Sequence, residues 1–273
     1  MKNKRLTAKD FDPKILELYD HYAHGKMTKR ELLKNIGKYT AASVTALSVF
    51  NNLMPNYALA EQVNFNDPEI KANYITYNSG NGNGKINAYY VKPSKITEKT
   101  SAVLVIHENR GLNPYIKDVA RRVAKAGFIA LAPDGLSSLG GYPGNDAEGK
   151  ILQKKIDREK LLNDFFNAFE FLLNHQDTNK KIGAVGFCYG GGVCNALAVA
   201  YPELSASVPF YGSQARSEDV KKIKTPLLLH YAEFDERINK GWPEYEAALK
   251  ANNKKYQAYI YKDCNHGFHN DST

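Results

Sequence analysis

From residue 73 onward, short apolar runs alternate with longer amphipathic stretches. NYITYNS (73–79) and KINAYYV (85–91) flank GNGNG at 80–84, the pattern of a hairpin whose two strands meet at a glycine-rich turn. AVLVIHE (102–108), GFIALAPD (127–134), KIGAVGF (181–187), ASVPFYG (206–212), TPLLLHYA (225–232) and YQAYIYKD (256–263) are apolar, β-branched or aromatic runs. Strands of that kind are buried on both faces, so they predict a mostly parallel sheet. Helical periodicity lies between them, in VARRVAKAG after Tyr115, LLNDFFNAFEFLL around 161–173, GGVCNALAVAY from 191 and WPEYEAALKAN at 242–252. The expected architecture is α/β, a mostly parallel central sheet with helices on both faces. Ligands of such open sheets collect outside the carboxyl ends of the strands, so the informative residues should lie at strand-to-helix junctions.

The first 60 residues follow another pattern. Residues 13–35 are rich in helix formers, and Thr28 followed by Glu31 forms a capping box for a second helix. The apolar stretch at 41–50 is shorter than the ~20 residues needed to span a bilayer, so no integral membrane span is expected. Lys29-Arg30 ahead of that stretch, with Ala58-Leu59-Ala60 after it, also resembles a twin-arginine export signal, although Lys29 stands where the first arginine would be. The expected division is residues 1–60 as a helical extension or export-signal-like segment and residues 61–273 as a catalytic domain. A cytoplasmic location is the first expectation and periplasmic export the alternative.

Charge and cysteine content narrow the function classes. The net charge is +8, of which residues 1–60 supply +5, from ten Lys/Arg against five Asp/Glu. With no basic stripe interleaved with aromatics, nucleic acid is not an expected partner. Three cysteines, Cys188, Cys194 and Cys264, without a C-x-x-C, fit reduced thiols better than a disulfide framework or a zinc site.

One of those thiols sits in a motif. Gly186-Phe187-Cys188-Tyr189-Gly190-Gly191 follows an apolar strand and precedes a small-residue helix, the context of a nucleophile elbow. Gly186 and Gly190 are expected where a side chain would collide with the neighbouring strand and helix. The turn would present the Cys188 sulfur at a helix N-terminus, whose partial positive charge favours thiolate. For an isolated cysteine the commoner role is that of a small buried hydrophobe. Here, however, Asp235 follows the strand 225–232 and His266 follows the strand 256–263, giving the order nucleophile, acid, histidine at the expected junctions. His266 would take and return the thiol proton, and Asp235 would orient the imidazole. The backbone N–H groups of Asn109 and Tyr189 are candidates for an oxyanion hole. Glu108, at the end of its strand, should reach the pocket and influence the thiol; its alternative is an exposed carboxylate paired with Arg110. His107 and His230 read as core residues. His269 lacks the further ligands a metal would require, so no metal site is expected.

HENRGL with Glu108, LAPDG at 131–135, GFCYGGG with Cys188, the acidic loop at Asp235 and NHGF with His266 together resemble the dienelactone hydrolase family over about residues 73–270. The resemblance implies an α/β-hydrolase fold, a Cys-Asp-His triad, a glutamate that regulates the thiol, no cofactor, and a monomer or weak homodimer acting on a small ester or lactone. Two features depart from the family pattern. The arginines that hold the substrate carboxylate are absent from DGLSSLGGYPGN and HGFHNDST, leaving Arg110, Arg216 or Arg237 as substitutes. The final amphipathic helix that family members carry after the histidine does not appear before Thr273, so a sheet face is expected to lack its cover. A non-catalytic α/β-hydrolase scaffold with a binding role is the alternative function.

Overall fold

In the computed structural model, the described residues are 11–23, 27–40, 45–53, 60–96 and 98–271. Eight strands form one sheet: β1 (Ile70–Ser79), β2 (Gly84–Pro93), β3 (Thr100–Ile106), β4 (Ile129–Pro133), β5 (Thr178–Phe187), β6 (Ala206–Phe210), β7 (Leu227–Ala232) and β8 (Tyr256–Tyr261). Their order is β1-β2-β4-β3-β5-β6-β7-β8. The β1–β2 hairpin and the β2–β4 pair are antiparallel, and every pair from β4 to β8 is parallel.

Helices cover the two faces. On one face lie α6 (Arg158–Asn174), α7 (Tyr189–Ala200) and α9 (Trp242–Ala251), burying Phe165, Phe169, Leu172, Leu197 and Leu249 against the strands. Fully burying a side chain of this size contributes about 1.5–3 kcal/mol. On the other face α4 (Pro114–Lys125) packs Tyr115, Ile116, Val119 and Ala120 over Val91, Val105 and Ala130. Asn113 caps α4 by accepting from the Ile116 N–H, and Pro114 occupies its first turn. At the far edge, Tyr259 and Ile260 of β8 are about half exposed, and no helix follows β8 among the described residues.

Two shorter helices stand near the carboxyl ends of the strands: α5 (Asp146–Gln153) and α8 (Glu236–Asn239). The sequence reading does not foresee α5. Its eight residues, DAEGKILQ, are largely polar, but Asn145 accepts from the Glu148 N–H as an N-cap, a signal that was present in the sequence.

The N-terminal residues fold into α1 (Pro13–Ala23), α2 (Lys29–Ile36) and α3 (Ala46–Leu53) around a small core of their own, including Ile15, Leu32, Ile36 and Phe50. The expected capping box is present, with Thr28 and Glu31 bonding reciprocally. The start of the apolar stretch, residues 41–44, and Ala58-Leu59 of the small-x-small element lie outside the described residues. No helix among the described residues is long and apolar enough to cross a membrane.

Candidate active site

Cys188 stands between β5 and α7 with φ 53° and ψ −110°, a left-handed backbone seldom occupied by a residue with a side chain. Its N–H donates to the Phe210 carbonyl of the neighbouring strand, and its own carbonyl accepts from Gly191 and Gly192. The flanking glycines are required by space. A Cβ on Gly186 would lie 2.2 Å from the Gly190 oxygen, and one on Gly190 would lie 2.3 Å from the Ile106 oxygen. Any side chain at either position would push strand and helix apart, and with them the turn that holds Cys188.

Parallel pairing brings the other two members of the expected triad together. Ala232 of β7 is in register with Tyr261 of β8, so the turns after both strands open at the same level. From those turns Asp235 Oδ2 accepts a 2.5 Å hydrogen bond from His266 Nδ1. Asp235 is buried and also accepts from the Ile238 N–H of α8. Burial disfavours the charged imidazole of His266, yet the adjacent Cys188 sulfur and Asp235 carboxylate together push it up to about 10. The Cys188 side chain lies close enough to His266 to influence its charge, on the side of the ring away from Asp235 Oδ2.

Glu108 lies two residues beyond the end of β3, not within the strand as expected, and it is buried rather than exposed. Burial pushes its carboxyl up to about 7, with Cys188 and Asp146 adding repulsion and Arg110 and His266 partly offsetting it. Asn270 donates to Glu108 Oε2 at 3.4 Å. Arg110 forms a 2.9 Å ion pair with Asp146, where both side chains are largely buried. The alternative pairing of an exposed Glu108 with Arg110 therefore does not hold. The same ion pair gives Arg110 a counter-charge within the chain. Arg216 pairs with Asp219 on the surface, and Arg237 brings Nη2 to 3.4 Å from His266 Nδ1.

Asn109 follows Glu108 on the loop after β3, and Tyr189 opens α7, where the first N–H groups of a helix have no partner within it. His107 is a buried core residue whose Nε2 accepts from the Gly135 N–H, and His230 stacks on Phe210 at 4.2 Å between ring centroids. His269 Nδ1 shares a 2.6 Å hydrogen bond with the Tyr115 hydroxyl, and burial lowers its pKa to about 4. Among the described residues no group of three or more His, Cys, Asp and Glu is placed to hold a metal ion.

Sequence reasoning misses Tyr211. It follows β6 with φ 37°, fully buried, with its ring 4.8 Å from that of His266. Its hydroxyl is buried, and burial raises its pKa, with Tyr115, Glu108 and Cys188 close enough to add to the shift. The available signal was Tyr211-Gly212 at the end of an apolar run. Gly212 is needed there because a Cβ would lie 2.2 Å from the Gly191 backbone.

Comparison with known proteins places this geometry in context. Residues 86–273 match the model of the dienelactone hydrolase family, and residues 2–38 match one described as YqhI-like. The "Putative hydrolase fragment YghX" of Escherichia coli K12 is 68% identical over 114 residues, covering 42% of this chain and 97% of that protein. A "Putative carboxymethylenebutenolidase" of Saccharolobus solfataricus is 31% identical over 225 residues, covering 68% of this chain and 85% of that protein. The crystal structure of the "Putative Dienelactone Hydrolase" of Klebsiella pneumoniae shares the fold. Its TM-score is 0.65 at 24% identity, covering 75% of this chain and 90% of that one.

Proposed function

The chain belongs to the dienelactone hydrolase family of carboxylic ester hydrolases, and from that premise we propose that it opens a small ester or lactone through an acyl-enzyme on Cys188. The observation that carries this reading is the left-handed backbone of Cys188 at the head of α7, with its side chain against a His266 that Asp235 holds at 2.5 Å.

In the proposed reaction the Cys188 sulfur, as thiolate, attacks the substrate carbonyl carbon and forms a C–S bond. The carbonyl π electrons move to oxygen, where the N–H groups of Tyr189 and Asn109 receive the developing charge. As the oxyanion collapses, the C–O bond to the leaving group breaks. The departing oxygen takes the proton from protonated His266. His266, now neutral, removes a proton from water as that water attacks the thioester. The acid is then released and the thiolate regenerated beside an imidazolium. Asp235 fixes the tautomer and stabilises the cation in both halves. Glu108, close to the sulfur and neutral below about pH 7, tunes the reactivity of the resting thiol.

Residues 61–273 would form the catalytic domain and residues 1–60 a helical extension docked on it. The direct test is turnover of p-nitrophenyl acetate. Wild type should release a burst of p-nitrophenolate that iodoacetamide abolishes, and Cys188→Ala should be inactive. Full turnover by Cys188→Ala would sink the proposal.

A further inference from the structure

The N-terminal helices touch the catalytic domain through α5. Lys150 of α5 donates from its ammonium to the carbonyl oxygen of Tyr22 on α1. The same ammonium lies 4.7 Å from the centroid of the Tyr22 ring, a cation–π contact. Lys150 is half-buried there, and desolvation brings its pKa down to about 8. Tyr22 is fixed from behind by Phe50 of α3, at 5.7 Å edge to face.

Helix α5 is in turn pressed onto the loop that follows β3. A Cβ on Gly149 would lie 2.2 Å from the Arg110 carbonyl oxygen, and Asp146 binds the Arg110 guanidinium at 2.9 Å. The clamp therefore joins α1 to the 108–110 loop through one short helix. Tyr19 lies three residues before Tyr22, on the same face of α1, with ring centroids 6.2 Å apart. Desolvation raises the pKa of the Tyr19 phenol, which also feels the charges of Arg110, Asp146 and Glu108.

We propose that α1 roofs the active site and that Tyr19, held by the Tyr22–Lys150 clamp, is a specificity-determining residue limiting the size of the acyl group or lactone ring that can reach Cys188. An aromatic ring fixed by neighbours is a rigid wall, and a wall at this position favours short, unbranched acyl groups. The size limit is expressed at Cys188 and so rests on the hydrolase reading above.

The test compares kcat/KM for p-nitrophenyl acetate, butyrate and octanoate in wild type, Tyr19→Ala, Tyr19→Phe and Lys150→Met. Tyr19→Ala and Lys150→Met should raise the octanoate-to-acetate ratio by about tenfold or more, the scale on which a pocket discriminates small differences in apolar bulk. Tyr19→Phe, which keeps the ring, should retain the wild-type ratio. A second readout needs no turnover: the rate at which Cys188 is alkylated by N-phenylmaleimide relative to iodoacetamide should rise in the same two variants. If Tyr19→Ala fails to fold, Lys150→Met decides, because its side chain lies outside the core of the N-terminal helices. Folded Tyr19→Ala and Lys150→Met with wild-type ester and alkylation ratios would overturn the roof. A shifted alkylation ratio in an enzyme that hydrolyses no ester would uphold the roof while removing the hydrolase reading.

Discussion

Asp235 and His266, 31 residues apart in the chain, meet through a 2.5 Å hydrogen bond from Nδ1 to a carboxylate that is only 4% exposed. The contact depends on the flush register of β7 and β8, and it leaves Nε2 as the imidazole nitrogen available to the Cys188 side. Asp235→Asn keeps the shape but offers an amide that can stabilise the wrong tautomer. By analogy with aspartate-to-asparagine changes in hydrolase triads, kcat for p-nitrophenyl acetate should fall by roughly 10³-fold or more with little change in KM. Steady-state kinetics checks this, and a loss below about fivefold would show that the contact is structural only.

Glu108 makes stability depend on pH in an unusual direction. Burial pushes its folded pKa up to about 7 from the ordinary glutamate value of 4.5, so between those values the native state holds a proton that the unfolded chain has released. The contribution is full below about pH 4.5 and is lost as pH rises through 7, on the order of 3 kcal/mol in all. In urea titrations at pH 5 and pH 8, Glu108→Gln should lose much of the stability difference that wild type shows. An unchanged difference would mean that another group carries it.

Gly190 fills a position where a methyl group would lie 2.3 Å from a β3 carbonyl oxygen. Gly190→Ala should cost about 1–3 kcal/mol, or more if strand and helix cannot part, and lower Tm accordingly. It should also slow alkylation of Cys188, since the elbow moves with the helix. A thermal melt and an iodoacetamide time course together check it.

Arg110 and Asp146 form a largely buried ion pair, so removing one partner is worse than removing both. Asp146→Asn should destabilise the protein by about 3–5 kcal/mol, whereas Arg110→Met combined with Asp146→Leu should recover most of that loss. Equal losses in the single and double variants, measured by chemical denaturation, would contradict the pairing.

Much of the fold was legible because strand periodicity and strand-end motifs are local signals. All eight expected strands are present, and the residues singled out at Cys188, Asp235 and His266 lie at the carboxyl ends of their strands. Glu108 was displaced by two residues because an apolar run does not reveal where its hydrogen bonding stops. Tyr211 and Tyr19 were missed for a different reason. Each reaches the site through tertiary packing, one by a left-handed turn against the α7 glycines and the other by a helix clamped from outside the domain. Arg110 carried a visible charge, but the distant Asp146 that takes it up stands on a polar helix the periodicity did not reveal.

The most direct measurement is intact-protein and peptide mass spectrometry of the enzyme quenched within the burst of p-nitrophenyl acetate turnover. The expected result is one added acetyl group, mapped to the peptide containing Cys188 and absent in Cys188→Ala. Acetylation at another residue, or turnover with no adduct at Cys188 under conditions where deacylation is rate-limiting, would contradict the cysteine acyl-enzyme.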